Sequence, residues 1–404
     1  MIFNKIKIFF AVIFLFPNFL LAQKILTEKE AIDLALKRNP LLSRQNLQIE
    51  QAKTLQATAR TLPQPEAFLE TPNRSGEPTI WANVGISQSF QSPKLYRQNA
   101  KVLAQRVKVT TSEREMSVLE ITQNTRILYQ QCVFLSQKKQ FLQEQDSIFS
   151  AAKRVAEVEV RLGNITPLQR LQLENLSIQI NWTLKINERE LENSFLLLEN
   201  FVGVNNFSIK NELEKIDWKN ENIENAFNQK ITNLKFPQLV FAQEKISLAT
   251  EQSEQQRLTW RSPNFNVGIS YFFVALPNVV PMARIGVTLP LQRKSYSAHI
   301  EAAKMEQKIA AQELQNIDFQ LKNEFQKAIS DWRLAAQQLN FVKETLLPQA
   351  NEILRHAQTT RALGSLSMLE YLQSLKQVYD IRLQYLEALR SYQESIIQLK
   401  YFVE

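Results

Sequence analysis

Few side chains in this sequence could carry out covalent or metal chemistry. Its 404 residues hold two histidines, His299 and His356, and one cysteine, Cys132. Two histidines are too few for a histidine-rich metal centre, and a single cysteine forbids an intrachain disulfide or a Cys-cluster zinc site. Neither glycine-rich phosphate loop, GxGxxG or GxxxxGKS/T, occurs, so no nucleotide cradle is expected. No nucleophile–histidine–acid constellation or metal-ligand spacing stands out. The expectation is a protein that is not an enzyme and holds no cofactor and no metal. His299 and His356 read as polar-face residues, Cys132 as a small buried hydrophobe, and Met305 and Met368 as packing residues.

Interest therefore moves to the elements. The chain has seven glycines, where roughly 28 would be average for its length at about 7%. With an ordinary 44% hydrophobic and 22% charged content, that scarcity points to long helices. Residues 1–22 read as a secretory signal peptide: Lys5 and Lys7 are basic, Ile8 to Phe16 apolar, and Ala22 small before Gln23. A lipid-modified amino terminus is not expected, because no cysteine stands near that cleavage point. No later run of 18 apolar residues predicts a transmembrane helix. The net charge of +8 is spread along an exported chain, so no nucleic-acid partner is expected.

The sequence repeats at offsets of 197 to 201: Pro40 with Pro237, Pro63 with Pro263, Pro93 with Pro290, Gly163 with Gly364. Residues 23–203 form a first structural repeat, with strands at about 66–71 and 79–90, a long helix 93–162, a tip and a return helix. Residues 204–404 form a second, with strands at about 264–273 and 282–290, a long helix 295–363, a tip and a return helix. The first short helix opens on Thr27-Glu28-Lys29-Glu30, a capping box. The second long helix carries a heptad-like seam, Leu314, Ile317, Leu321, Phe325, Ala328, Trp332, Ala335, Leu339, Val342 and Leu346. Ile121, Thr125, Leu128, Cys132 and Leu135 stand 200 residues before Leu321, Phe325, Ala328, Trp332 and Ala335. A helix of such length spans about 100 Å, which makes it a coiled-coil rod or a tunnel wall. Pro348 predicts a break and a local kink in the second rod. Gly163 and Gly364 predict chain reversals at the tips.

The strand segments alternate. Ile80, Ala82, Val84 and Ile86 share one face; so do Phe265, Val267, Ile269, Tyr271 and Phe273, and so do Ala283, Ile285 and Val287. Gly85, Gly268 and Gly286 fall on the opposite face. Strands of this length cross a bilayer when tilted. Four of them cannot close a barrel, and strands in lipid must close. Three chains would supply twelve. The predicted fold is mainly α with a small β part: long coiled-coil-like helices forming an α-barrel, and four strands per chain in a trimeric twelve-stranded β-barrel. Ile80, Val84, Ile86, Phe265, Val267, Ile269, Tyr271, Ile285 and Val287 are the expected lipid-facing side chains, with outer-membrane lipid as their partner.

The opening ILTEKEAIDLALKRNP, the tips RLGNITPLQRLQLE (161–174) and RALGSLSMLEYLQSL (361–375), and the closing YLEALRSYQESIIQLKYFVE together resemble the TolC-like outer-membrane efflux protein family over residues 23–404. The likeness runs more to the metal- and drug-efflux partners of resistance-nodulation-division pumps than to secretion tunnels. It implies a homotrimeric channel-tunnel in the outer membrane of a Gram-negative bacterium, extending into the periplasm. Such a duct works passively with a periplasmic adaptor and an inner-membrane efflux pump, exporting metal ions or drugs. By the family's tip motif Glu370 stands at the first gating acid and Gln373 at the second. Gln169 and Gln172 are their uncharged equivalents in the first half. Arg361 and Leu366 stand where the family can carry a locking Tyr–Arg pair, with Arg361 free to pair with a neighbouring acid. One carboxylate per subunit around an axis makes a cation-favouring ring. The competing reading is a periplasmic coiled-coil adaptor or scaffold. The membrane-type strands argue against it, as does the absence of a lipoyl-like glycine-bearing β domain.

Overall fold

The helices form where the sequence supplies caps and withholds breakers. In a computed structural model the described residues are 25–71, 82–205, 207–209, 223–233, 235–275, 278–289 and 293–403. The signal peptide expected at 1–22 lies outside them, as does Ile80. Helix α1 (Glu28–Arg38) opens on the capping box read from sequence: the Thr27 N–H donates to Glu30 Oε2 at 3.0 Å, and the Glu30 N–H to Thr27 Oγ1 at 3.3 Å. Asn39 then caps α2 (Pro40–Leu55), its side chain accepting from the Leu41 N–H at 2.9 Å, with Pro40 in the first turn. Proline's missing N–H costs nothing there.

Helix α3 (Pro93–Arg161) runs 69 residues without interruption, and α4 (Pro167–Val202) returns from its tip to end on Gly203, at φ 69°. In the second half α5 (Ile223–Thr232) and α6 (Pro237–Arg261) precede the strands. Helix α7 (Arg293–Phe341) passes through one π-helical turn (Val342–Leu346) into α8 (Leu347–Ala362), and α9 (Met368–Val403) closes the chain. The break expected at Pro348 is thus replaced by continuous winding. The Leu347 N–H reaches back five residues to the Val342 carbonyl. The wider turn accommodates a proline that has no N–H and whose ring would crowd the carbonyl four residues before it.

Two compact units divide the chain, and each draws on both halves. In the unit made of residues 38–123, 217–337 and 395–404, Phe227 stacks on Phe325 with centroids 3.7 Å apart, and Phe236 and Phe402 pack edgewise around them. Leu239, Leu321, Ala328 and Leu399 complete this buried cluster. The seam residues Leu321, Phe325 and Ala328 face it as the heptad spacing requires. In the unit made of residues 1–37, 124–216 and 338–394, Phe149, Ala152, Ala156, Leu173, Leu372 and Leu375 form the core. There Tyr129 donates from its hydroxyl to the Leu26 carbonyl at 2.9 Å, and the short β1 (Ile25–Leu26) pairs in parallel with β4 (Ser208–Ile209). Cys132 is fully buried, and burial pushes its thiol up to about 12, the behaviour of a packing residue.

A four-stranded antiparallel sheet occupies the first of these units in the order β2 (Glu66–Glu70), β3 (Ala82–Phe90), β5 (Asn264–Ala275), β6 (Asn278–Thr288). Its register makes continuous rows. Val84 lies opposite Tyr271, Ile86 opposite Ile269, Phe265 between Phe90 and Val287, and Val267 opposite Ile285. On the other face Phe68, Gly85 and Ser270 share a row, as do Ser87, Gly268 and Arg284. Small residues in these rows leave a lane that larger side chains cross. Arg284, on one edge strand, reaches Glu70 on the other at 2.9 Å and lies 4.6 Å from the centroid of the Phe68 ring. Asn83 donates to the same carboxylate at 2.9 Å.

Gly85 keeps the lane open. A Cβ there would come within 2.6 Å of Phe68 Cζ and Ser270 Cβ and 2.7 Å of the Ile269 carbonyl, whereas at Gly286 it would meet only Asn266 Cβ, at 3.8 Å. Gly85→Ala is expected to destabilise the folded sheet by about 1–3 kcal/mol through overpacking, and Gly286→Ala to have little effect. Urea midpoints of the detergent-refolded chain check this pair, and equal midpoints would contradict it.

Candidate functional site

The two helix tips are built alike. At the first, the Gly163 N–H bonds the Val160 carbonyl at 3.1 Å and the Asn164 N–H bonds the Glu159 carbonyl at 2.9 Å. At the second, Gly364 bonds Arg361 at 3.0 Å and Ser365 bonds Thr360 at 3.1 Å. Both glycines are left-handed, at φ 75° and 74°. This is the bonding that ends a helix and reverses the chain.

The outgoing helices are capped alike as well. Thr166 Oγ1 accepts from the Gln169 N–H at 3.2 Å, and Gln169 Oε1 accepts from the Thr166 N–H at 2.8 Å. Ser367 Oγ accepts from the Glu370 N–H at 3.2 Å, and Glu370 Oε2 accepts from the Ser367 N–H at 3.0 Å. Glu370 therefore has a structural partner: it is the third residue of a capping box, exposed to solvent at the start of α9. The Ser367 hydroxyl, and then its backbone N–H, hold the Glu370 carboxyl below the usual carboxylate range. Its equivalent Gln169 makes the same cap without the charge.

Gln373 and Gln172 lie about one turn further along their helices, both exposed. Arg361 donates to the Leu366 carbonyl at 2.8 Å across the tip rather than to an acid. It ties the turn together from the two positions where a Tyr–Arg lock was considered. Ile165, Met368 and Leu369 pack against the Phe149–Leu372 core, which sets the two tips side by side. Leu162, Leu168, Leu171 and Leu363 project from them, Leu363 at 76% exposure. The caps Thr166 and Ser367 were not singled out from sequence, although the S/T-x-x-E/Q spacing was available to mark them.

The sheet is the second candidate region. Val84, Ile86, Phe265, Val267, Ile269, Tyr271, Ile285 and Val287 are all exposed, Ile285 at 82%, and the register places them on one face. Ile80 lies outside the described residues. On the other face Asn83, Ser87 and Ser270 are buried, beside the Arg284–Glu70 pair. That pair was not foreseen, because it joins residues 214 apart in sequence. Such a sheet is inverted relative to a soluble one, apolar outside and polar within. No helix among the described residues is long and apolar enough to cross a membrane.

Residues 237–402 match the family model of the outer membrane efflux protein. Among curated proteins none matches in sequence. Solved structures match over nearly the whole chain. A membrane protein from Pseudomonas aeruginosa is 13% identical, with a TM-score of 0.77 over 94% of this chain and 91% of its own. CusC, whose structures concern folding and transmembrane channel formation, is 16% identical at a TM-score of 0.76, covering 96% and 95%. The outer membrane channel CmeC of Campylobacter jejuni is 17% identical at 0.76, covering 93% and 85%. At these identities the likeness is one of fold. The sequence match to the efflux family model thus covers residues 237–402, and the fold shared with these structures covers almost the whole chain.

The tip glycines make a direct test. Nothing lies within 4 Å of a Cβ added at Gly364, so only the left-handed backbone penalises alanine, by about 1–2 kcal/mol. Gly364→Ala is expected to speed hydrogen exchange of the Ser365 amide by about fivefold or more, and Gly364→Asn to speed it less, since asparagine tolerates this conformation. Identical exchange in all three proteins would contradict the account.

Proposed function

We propose that this chain is one protomer of a homotrimeric exit duct in the outer membrane of a Gram-negative bacterium, extending into the periplasm. The single observation that carries the reading is the inverted sheet: an apolar exposed face, a polar buried one, and outer edges on β2 and β6 that pair with no strand among the described residues. Backbone groups at such edges have no water to bond in hydrocarbon, so the sheet must close on other strands. Three protomers give twelve strands, and the helices prolong the barrel as a tunnel. The family match and the shared fold support the same reading. The duct performs no chemistry. Metal ions or small-molecule drugs arrive from an inner-membrane pump through a periplasmic adaptor, and the leucine-studded tips are the surface offered to that adaptor.

Glu370 is the proposed gate charge. Three copies around the axis form a carboxylate ring that attracts cations. In one protomer the Ser367 hydroxyl and N–H hold this carboxyl below the usual range, while like charges brought together in a ring push it back up; the ring is charged at neutral pH and loses that charge on acidification. Glu370→Gln isolates the charge, because glutamine at the equivalent position already makes the capping bond.

Fractionation and planar-bilayer recording test the reading. The chain should remain in the outer-membrane fraction after a salt wash, as a detergent-resistant trimer that conducts. Release by salt would favour the adaptor reading instead. Glu370→Gln should reduce cation over anion selectivity severalfold at pH 7 with the trimer intact. Acidification below the ordinary carboxylate range should do the same to the unaltered channel. Unchanged selectivity would remove Glu370 from the gate.

A further inference from the structure

All four strands meet their helical flanks at one end of the sheet, since Glu66 pairs with Ser87, Phe90 with Phe265, and Asn264 with Thr288. The twelve residues flanking each strand at that end are 54–65, 91–102, 252–263 and 289–300. They contain eight lysines and arginines and one acid, Glu254, in a chain with 48 basic and 40 acidic residues overall. The next acids, Glu66, Glu251 and Glu301, fall just beyond these stretches. Charge is therefore sorted along the molecule, and the positive excess sits where the apolar face ends.

The structure gathers these cations. Arg257 Nε donates to Glu254 at 2.6 Å, and Lys101 from α3 and Arg261 also act on that carboxylate, which is held below the usual range by Arg257 first. The neighbouring helices are locked at this level by Gln98 donating to the Glu251 side chain at 2.6 Å and Gln255 donating to Asn99 at 2.8 Å. One carboxylate cannot neutralise three cations. Arg60, Lys94, Arg97, Lys101, Arg261 and Lys294 are exposed, and none has a carboxylate within 4 Å among the described residues. Trp260 stacks on His299 at 4.6 Å within the belt, with the Trp260 N–H bonded to Gln256. A ring of this kind, with an apolar body and a polar tip, suits a membrane–water boundary.

We propose that this belt binds the anionic headgroups of phospholipids in the leaflet on the helical side of the sheet. The inference rests on the membrane reading above and names the lipid partner that reading leaves open. The apolar face fixes the depth of the sheet. The belt then stands at headgroup height, where exposed lysine and arginine are attracted to anionic lipid within a Debye length. The exposed cations of the belt are spread over all four flanks, and a charged surface meets them together.

The test uses the full chain in vesicles of phosphatidylcholine with one-fifth phosphatidylglycerol, extracted in mild detergent, with co-purifying lipid counted by mass spectrometry. Phosphatidylglycerol should be enriched at least threefold over the bulk ratio, and high salt should reduce the enrichment. The quadruple variant Lys94→Gln, Arg97→Gln, Lys101→Gln and Arg261→Gln should fall to the bulk ratio while still inserting as a trimer. A matched variant with Lys304, Lys308, Lys322 and Lys327 changed to Gln should keep the enrichment. Bulk-ratio lipid on the unaltered protein, or full enrichment on the belt variant, overturns the proposal. So does displacement by inorganic phosphate at constant ionic strength, which would mark a free-anion site. Failure of the unaltered chain to insert at all would instead overturn the membrane reading itself.

Discussion

A strand that faces hydrocarbon must find every backbone partner in protein. Under the proposed function that constraint organises this molecule. The sheet offers two outer edges, on β2 and β6, that are unpaired among the described residues, and an outward face of valine, isoleucine and phenylalanine. In the proposed trimer each edge finds its partner on a neighbouring chain, so the membrane part cannot exist complete in one protomer. The polar lane on the inner face follows from the same need. With lipid outside, Arg284, Glu70 and Asn83 have only the interior in which to find one another, and Gly85 leaves the space for it.

The two tips are a controlled comparison within one chain. Each has a left-handed glycine, the same pair of reverse-turn hydrogen bonds, and the same reciprocal cap. They differ in charge at the cap, where the acceptor is neutral Gln169 in one and ionised Glu370 in the other. Since geometry is served equally well by either residue, the carboxylate is not required for the turn, and its charge is available for other work. The Arg361–Leu366 bond, present at the second tip, braces that turn without neutralising the acid.

Much of this was legible in the sequence because it is local. Glycine and proline positions fixed where α3 ends and where α4 starts. Period-two alternation at Asn264 to Phe273 identified β5 and the face it presents. Heptad spacing picked out Leu321, Phe325 and Ala328 as core. What was not legible depended on contacts between distant segments or on a local rule with two solutions. The Arg284–Glu70 pair needs the register of four strands before it can be seen. Pro348 announces a disturbance, but whether it ends the helix or widens one turn depends on whether the flanking helices are held by packing. Here Val342 and Ala350 are both buried, and the winding continues between them.

That widened turn also dates itself within the repeat. Buried Leu142 in the first half corresponds to buried Val342 in the second, 200 residues on, whereas Phe149 corresponds to Ala350 and Ala156 to Ala357, 201 residues on. The offset between the halves changes by one inside the segment that contains Val342–Leu346. The π turn takes up one extra residue in the helical ladder between these matched positions, so that the side chains beyond it keep their phase. Buried positions on both sides of the turn therefore stay on one seam of the helix.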